Sequence, residues 1–228
     1  GNYAGDNMNV SLAMRSVKKK GISIATVVAN DDVCSAPLDE RDKRRGVAGE
    51  IFMWKIGAAK AALGGSLEEV REVSQLAIDC SRSVGVGLGP CTLPAVGHPN
   101  FEIAAGKMEV GIGHHGEPGV RVEDLKSANR VADEMAKIVL DDHNLPIGTQ
   151  VAVLISGLGA TPTNELYVLY SQVENRIRER GLNVYKSYVG NYFTSLEMVG
   201  ATLTIMALND DLKPLLDHEC ACPALTDN

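Results

Sequence analysis

The sequence predicts an α/β fold made of two α/β subdomains, each with a mixed sheet flanked by helices. Segments with helical apolar spacing alternate with short β-branched runs along the 228 residues, which is typical of α/β proteins. With 45% hydrophobic and 22% charged residues, the chain has enough apolar side chains for a core. Glycines and prolines are concentrated in residues 85–100, and we therefore predict subdomains over 1–84 and 85–228.

The first subdomain is predicted to begin with a helix and a strand. Apolar residues recur at helical spacing over 10–17, and three lysines followed by Gly21 are typical of a helix C-terminus. Residues 22–30 form a β-branched run, which predicts a buried strand. Residues 31–46 are charged and contain a proline, so we expect a surface loop at the carboxyl end of that strand.

Two helices are predicted next. Residues 47–65 are rich in alanine and end in a double glycine, which predicts a buried helix with Phe52 and Trp54 on its packing face. Ser66 and Glu69 match the capping-box pattern, so a further helix is expected from Ser66 to about Ser83.

The second subdomain continues the alternation of strands and helices. Apolar strand-like runs predict strands over 107–112, 150–156, 182–188 and 201–208. Helical spacing predicts helices over 122–140 and 164–180. Helices therefore alternate with strands to the end of the chain.

Charge and cysteine content argue against several classes of protein. The net charge is −7 with a pI near 5.3, and lysines and arginines form no long stripe, so we expect no nucleic-acid partner. Five cysteines without a CxxC pair argue against a zinc ribbon or a disulfide framework and predict a cytoplasmic protein with reduced thiols. No stretch approaches the roughly 18 apolar residues of a membrane helix, so no membrane partner is expected.

The most informative segment is GIGHHGEPG, residues 111–119. It follows a predicted strand and places His115 in a glycine-rich loop that a ligand can approach closely. A neutral imidazole is a nucleophile near pH 7 and can add to the carbonyl carbon of a small ketose as a hemiaminal. Such a bond would hold a ligand with too few atoms for tight noncovalent binding.

Other interpretations of this segment remain open from the residues alone. GIGHHG matches the dinucleotide-binding pattern GxGxxG, but Pro118 and Gly119 oppose a helix at the third glycine. Adjacent histidines on an extended segment point to opposite faces, so at most one joins Glu117 in a metal shell, and we predict no metal site. A purely structural histidine pair is the third alternative.

Asp6 is the second candidate. It follows Gly5 in the opening GNYAGD, just ahead of the first helical pattern, and could serve as a positioned carboxylate. By residue type alone, an ordinary helix N-cap is the stronger interpretation.

The segments that carry these candidates resemble the substrate-binding K subunit, or K domain, of the dihydroxyacetone kinases. The similarity covers GNYAGDNMN, RRGVAGE, GVGLGPCTLP, GIGHHGEPG, SGLGATP and VGNYFTSLEMVG, nearly the whole chain. It implies that His115 bonds covalently to the carbonyl carbon of dihydroxyacetone and that Asp6 orients and deprotonates the hydroxyl that is phosphorylated. Both residues would bind the substrate, and both would be catalytic.

The resemblance also implies partners and cofactors. The sequence contains no GxxxxGK[ST] loop, so nucleotide (ATP or ADP) and Mg are expected on a separate L-type subunit or domain. That partner would use ATP directly or hold a nucleotide recharged by the phosphotransferase system. The resemblance further implies a homodimer and a role in glycerol metabolism.

Two departures from the family pattern accompany the resemblance. The family is longer at its N-terminus, where a glycine-rich loop with a further histidine contributes to the substrate site, so we expect this chain to be a fragment, with little or no activity alone. The second departure is His114, where the family carries an aliphatic residue. His115 is the expected tether because it directly precedes GEPG, with His114 as the alternative.

Two alternative functions are compatible with this site. A noncatalytic co-regulator would use the tethering histidine to sense a ketose but would not need Asp6 as a base. A kinase for a four-carbon ketose such as erythrulose would use both residues.

Overall fold

The computed structural model describes residues 1–227 and contains one six-stranded sheet. The strands are β1 (Ser81–Gly87), β2 (Lys107–Val110), β3 (Arg121–Asp124), β4 (Gln150–Gly157), β5 (Asn183–Gly190) and β6 (Gly200–Ala207). They lie in the order β3-β2-β1-β6-β4-β5, with β4 and β5 parallel and all other neighbours antiparallel. This mixed sheet confirms the predicted fold class.

The described residues also form six α-helices. They are α1 (Ala4–Lys18), α2 (Glu50–Ala62), α3 (Leu67–Asp79), α4 (Ala128–His143), α5 (Thr163–Glu179) and α6 (Leu212–Asp217). A 3-10 segment spans Leu38–Lys43, and a short hairpin pairs β7 (Cys220–Ala221) with β8 (Thr226–Asp227). The two subdomains remain a prediction; β1 itself spans residues 84 and 85.

Side chains of β4, which lies between β6 and β5, point alternately into two cores. Val151, Val153 and Ile155 pack in the cluster formed with α4 and α5. Ala152 and Leu154 pack in the cluster formed with α2 and α6 on the other face. Because successive strand residues face opposite sides of the sheet, a continuous apolar run serves both cores. The sheet is therefore packed on both faces.

The predicted start of the third helix is confirmed by its cap. Ser66 accepts a hydrogen bond from the Glu69 backbone, and the Glu69 carboxylate accepts one from the Ser66 backbone, as the capping box requires. The helix ends at Asp79, however, and residues 81–83 belong to β1. The predicted end near Ser83 was wrong because β1 is rich in serine and glycine and owes its strand structure to seven pairs with β6.

The prediction of a buried strand over residues 22–30 was wrong. Within the described part of the chain this segment pairs with no strand of the sheet, and Ile22 is 56% exposed. The β-branched run reflects strand propensity, but a strand also needs a hydrogen-bonded neighbour.

Two further sequence expectations need correction. The helix predicted from residue 122 begins at Ala128, because Val122 pairs with Glu109 in the edge strand β3. Phe52 is fully buried, but Trp54 is 51% exposed. Two residues along a helix correspond to about 200° of rotation, so these side chains cannot share one packing face.

Candidate active site

Asp6 and His115 line one cavity of about 420 Å³. The first turn of α1 contributes Asp6, the start of α2 contributes Glu50, and the 111–119 loop contributes His115. Phe193, beyond β5, closes another part of the wall. The structure thus brings together the two residues singled out in the sequence, which are 109 positions apart.

Tight packing shapes the loop that carries His115. The Gly113 N–H donates to the Glu117 carbonyl at 2.9 Å, and an added Cβ at Gly113 would lie 2.1 Å from Glu117 Oε2. Gly116 adopts a φ of +85°, a conformation that favours glycine. The chain continues from this loop into β3 and not into a helix, which argues against the dinucleotide-site alternative.

Glu117 holds His115 through two hydrogen bonds. Its Oε1 lies 3.0 Å from the ring Nδ1, and its Oε2 accepts from the His115 backbone N–H at 2.9 Å. Burial raises the pKa of Glu117, but hydrogen bonds from the Glu117 and His115 backbone and from the His115 ring outweigh burial and leave the pKa below its usual value. The ionised carboxylate accepts, so Nδ1 is the donor, and in the neutral imidazole the lone pair is then on Nε2.

His114 lies between His115 and Phe193. Its ring centroid is 4.2 Å from that of His115 and 4.4 Å from that of Phe193. Burial, with a smaller contribution from His115, lowers the pKa of His114 to about 4. The His114 imidazole is therefore neutral at neutral pH. The two rings also differ in exposure: His114 is half-buried, whereas the His115 side chain is 56% exposed.

Hydrogen bonds of Asn2 hold the N-terminal segment in a position where Asp6 lines the cavity. The Asn2 side chain donates to the Arg44 carbonyl at 2.7 Å, and Asn2 also forms a bridge with Gly46. The N-cap of α1 is Tyr3, which places Asp6 in the first turn of the helix. The N-cap interpretation of Asp6 was therefore wrong, and its half-buried carboxylate lies in the cavity wall.

Arg45 joins two loops at this site, a role the sequence did not reveal. Its Nε donates to Asp32 Oδ2 at 2.8 Å, and its Nη2 donates to the Gly111 carbonyl at 2.7 Å, at the start of the His115 loop. Asp32 is 1% exposed; burial raises its pKa to about 6, against the opposing effect of Arg45. The cation therefore compensates a buried acid and fixes one end of the loop.

The segment 31–46 is more than a surface loop. Asp31 is fully buried and accepts from the backbone N–H of Val47 at 3.1 Å and of Gly49 at 2.8 Å, which satisfies donors at the start of α2. Arg44 is 1% exposed and forms two hydrogen bonds with Asp142 on α4. The expected surface loop is present at residues 37–40, which are exposed, whereas Asp31 and Arg44 are buried and hydrogen-bonded to distant groups.

Glu50 is a further cavity residue that sequence reasoning missed. It is the first residue of α2, 2% exposed, and burial raises its pKa.

Across residues 1–227, no group of three or more His, Cys, Asp or Glu side chains is placed to hold a metal ion. Over the same range, no helix has the length and apolarity needed to cross a bilayer.

Comparison with known proteins identifies close relatives. Residues 1–224 match the model of the Dak1 domain. The dihydroxyacetone-binding subunit DhaK of PTS-dependent dihydroxyacetone kinase 2 from Listeria innocua serovar 6a is 39% identical over 98% of this chain and 67% of its own length. The L-erythrulose 1-kinase of Mycolicibacterium smegmatis is 39% identical over 98% of this chain and 40% of its own length.

A solved structure shows the same fold. The dihydroxyacetone kinase operon co-activator Dha-DhaQ has a TM-score of 0.88 with 30% identity, over 96% of this chain and 68% of its own. The chain thus spans about two thirds or less of the length of these relatives. These findings confirm the resemblance to the K subunit, and the chain belongs to the Dak1 domain family.

Proposed function

We propose that this chain is the dihydroxyacetone-binding component of a dihydroxyacetone kinase. The ketose is held as a covalent hemiaminal on His115, and its hydroxyl is activated by Asp6 for phosphoryl transfer from a partner subunit or domain. The single observation that carries this proposal is the shared cavity, which places an imidazole and a carboxylate from distant parts of the chain around one small volume. The dihydroxyacetone-binding relative from Listeria supports the choice of ligand.

The hydrogen bond from Nδ1 to Glu117 prepares His115 for this reaction. With the proton on Nδ1, the Nε2 lone pair attacks the ketone carbon, a C–N bond forms, and the C=O π electrons move to the oxygen. The Nδ1 proton passes to Glu117 and, through solvent, to the new alkoxide. Neutral ketone and neutral imidazole thus give a neutral hemiaminal, and no oxidant or reductant is needed.

Covalent attachment solves a binding problem for so small a ligand. Dihydroxyacetone has six heavy atoms, and a ligand of this size gains little from noncovalent contacts in a cavity of about 420 Å³. The bond to His115 also fixes the terminal hydroxyl relative to the protein, and such proximity lowers the barrier by up to several kcal/mol.

Asp6 acts as the general base of the transfer step. It accepts the hydroxyl proton while the hydroxyl oxygen forms a bond to the terminal phosphorus of the donor, and the bond from that phosphorus to the leaving nucleoside diphosphate breaks. A correctly placed base contributes a factor of about 10² to 10⁴. Nucleotide and Mg reside on the L-type partner, and recharging by a phosphotransferase system is in keeping with the PTS-dependent Listeria relative.

Two other functions compete with this proposal. The co-activator Dha-DhaQ shares the fold at a TM-score of 0.88, which favours a ketose-sensing co-regulator as the second candidate. The L-erythrulose 1-kinase is as similar in identity as the Listeria subunit, and the cavity volume admits a four-carbon ketose as well. A sensor needs His115 and not Asp6; both kinases need both residues.

The test is carbon NMR with dihydroxyacetone labelled at C2. We expect the ketone resonance of the bound fraction to be replaced by a tetrahedral-carbon resonance in the wild type, and this resonance to be lost in His115→Ala. The matched control is His98→Ala, because His98 is an exposed histidine outside the cavity. A tetrahedral resonance that survives His115→Ala, or none in the wild type, would overturn the proposal.

A further inference from the structure

A second cavity, of about 250 Å³, lies between the helices α4 and α5 and the ends of two strands. Its wall is mostly aliphatic and includes Val86 of β1, Val131 and Met135 of α4, Leu169 of α5 and Ala201 of β6. None of its lining residues also lines the cavity of Asp6 and His115. We call it the α4–α5 cavity; it is separate from the candidate active site.

The α4–α5 cavity leads from the protein surface into the core. On α4, the residues Ala128, Val131 and Met135 are spaced at i, i+3 and i+7, which places them on one face of the helix. Ala128 is exposed, Val131 is 7% exposed and Met135 is fully buried. The mouth of the cavity is therefore at the first turn of α4, and its inner end is at Met135.

The chemistry of the wall favours an apolar occupant over water. A buried water needs two to four polar partners. The hydroxyl of Thr161, at the cavity, already donates to the Gly200 carbonyl at 2.7 Å and accepts from the Gly200 N–H at 2.9 Å. An apolar wall without contacts loses dispersion energy, which an aliphatic ligand restores. An engineered apolar cavity of about 150 Å³ binds benzene, so 250 Å³ admits a longer aliphatic chain.

The charges at the cavity disfavour a charged head group on that ligand. The Lys126 ammonium lies 2.7 Å from a carboxylate oxygen of Glu123 and 2.7 Å from one of Glu134, so it is already neutralised. Glu165, in the first turn of α5, adds another acid to the lining. A carboxylate head would meet Glu165 without gaining an unpaired cation at Lys126, and an ammonium head would be repelled by Lys126. An uncharged head group avoids both conflicts.

We propose that the α4–α5 cavity is a binding site for an uncharged aliphatic molecule, such as a medium-chain alcohol. Its chain lies against Val131 and Met135, and its polar end remains at the mouth beside Ala128. The site does not depend on the ketose chemistry, because the two cavities share no residue. An aliphatic side chain from a partner protein is the competing occupant.

The first test is NMR of protein labelled with ¹³C-methyl methionine, with 1-octanol as the probe. We expect a saturable shift of the Met135 methyl resonance with a dissociation constant of about 1 mM or lower. The resonance of Met206, which is buried in the core formed with α2 and α6, should not shift and serves as the internal control. Octanoate and octylammonium should bind about tenfold more weakly or worse, because their charges gain no partner at the mouth.

The second test narrows the mouth of the cavity. Ala128→Leu should weaken octanol binding about tenfold or more, as added methylene groups do in an apolar pocket, with little change in thermal stability because Ala128 is exposed. Ala62→Leu, at an exposed position on α2, is the matched control and should bind as the wild type does. Val168→Phe, at a half-exposed lining position on α5, replaces Ala128→Leu if that variant fails to fold.

Three results would overturn the proposal. The first is a Met135 resonance that does not shift with octanol in the wild type. The second is equal octanol affinity in a folded mouth variant and the wild type, and the third is octanoate binding as tightly as octanol. Sedimentation tests the competing occupant: an oligomer that dissociates in Ala128→Leu would assign the cavity to a partner's side chain and would also overturn the proposal. The ketose adduct on His115 is measured separately, so its absence would leave the aliphatic site standing.

Discussion

Glu117 holds both the ring and the backbone of His115, with Oε1 3.0 Å from Nδ1 and Oε2 2.9 Å from the backbone nitrogen. The carboxylate is only two residues from the histidine, and its side chain is 11% exposed. A buried acceptor so close in sequence fixes the tautomer of the ring and the shape of the turn that carries it.

The substitution Glu117→Gln is therefore expected to weaken the adduct. The amide keeps the size of the side chain but removes its charge, and it accepts hydrogen bonds through one oxygen in place of two. We expect the adduct equilibrium constant to fall by about 10- to 100-fold, measured by carbon NMR with labelled ketose. Glu102→Gln, at an exposed position, is the control and should leave the constant unchanged. Equal constants in Glu117→Gln and the wild type would rule out the role of Glu117.

The substitution Asp6→Asn distinguishes the proposed kinase function from the alternative sensor function. We expect adduct formation to persist and phosphoryl transfer, assayed with an L-type partner and nucleotide, to fall by about 10² to 10⁴. The unfolding free energy should change little, since no residue of α1 is buried. Asp39→Asn, at an exposed position on the 3-10 segment, is the matched control. Full transfer by Asp6→Asn would remove the general-base role.

Arg45→Met is expected to destabilise the protein. Asp32 would be left as a buried acid without its cation, and the Gly111 carbonyl would lose a donor. A loss of about 3 kcal/mol or more in the free energy of unfolding is typical when one partner of a buried ion pair is removed. Urea unfolding at pH 7.5 measures this loss. Adding Asp32→Asn should restore part of the stability; a double variant no more stable than Arg45→Met would contradict the pairing argument.

His143 is expected to make stability depend on pH. Its Nε2 lies 2.9 Å from the Cys80 carbonyl, and burial, followed by the effect of Arg82, lowers its pKa to about 4 from a usual 6.5. Between these pH values the unfolded chain binds more protons at this residue than the folded protein does. The contribution of His143 is thus present above pH 6.5 and is lost as the pH falls towards 4.

The variant His143→Gln isolates this contribution. Urea unfolding at pH 7, 6 and 5 should show a smaller loss of stability on acidification than in the wild type. Asp32, whose pKa is raised to about 6, contributes in the opposite direction over pH 6 to 3.8, but equally in both proteins, so the difference between them reports His143. His98→Gln, at an exposed position, should retain the wild-type slope. An identical slope in His143→Gln would contradict the burial argument.

Parts of the fold could be predicted because their signals are local. β4 and β6 are apolar runs, and α5 has one apolar stripe, so each is visible within about ten residues of sequence. β1 was missed because its serines and glycines carry no such signal, and its pairs with β6 join residues more than 110 positions apart. Residues 22–30 show the converse case, a strong strand signal without a pairing partner in the described structure.

In the candidate site, too, residues with a local sequence signal could be predicted, and residues that only folding brings together could not. His115 and Asp6 were found because each lies in a distinctive short motif. Arg45 and Asp32 lie 13 positions apart in a charged segment, and only the folded chain buries the acid against the cation. The contact between the His114 and Phe193 rings likewise joins residues 79 positions apart, which no local pattern reveals.

The central claim is a bond between one imidazole nitrogen and the ketone carbon. Protein labelled with ¹⁵N-histidine and dihydroxyacetone labelled with ¹³C at C2 make that bond directly visible by NMR. We expect a one-bond carbon–nitrogen coupling to Nε2 of His115, absent in His115→Ala. A bound ketose without any such coupling, or a coupling to His114, would contradict it.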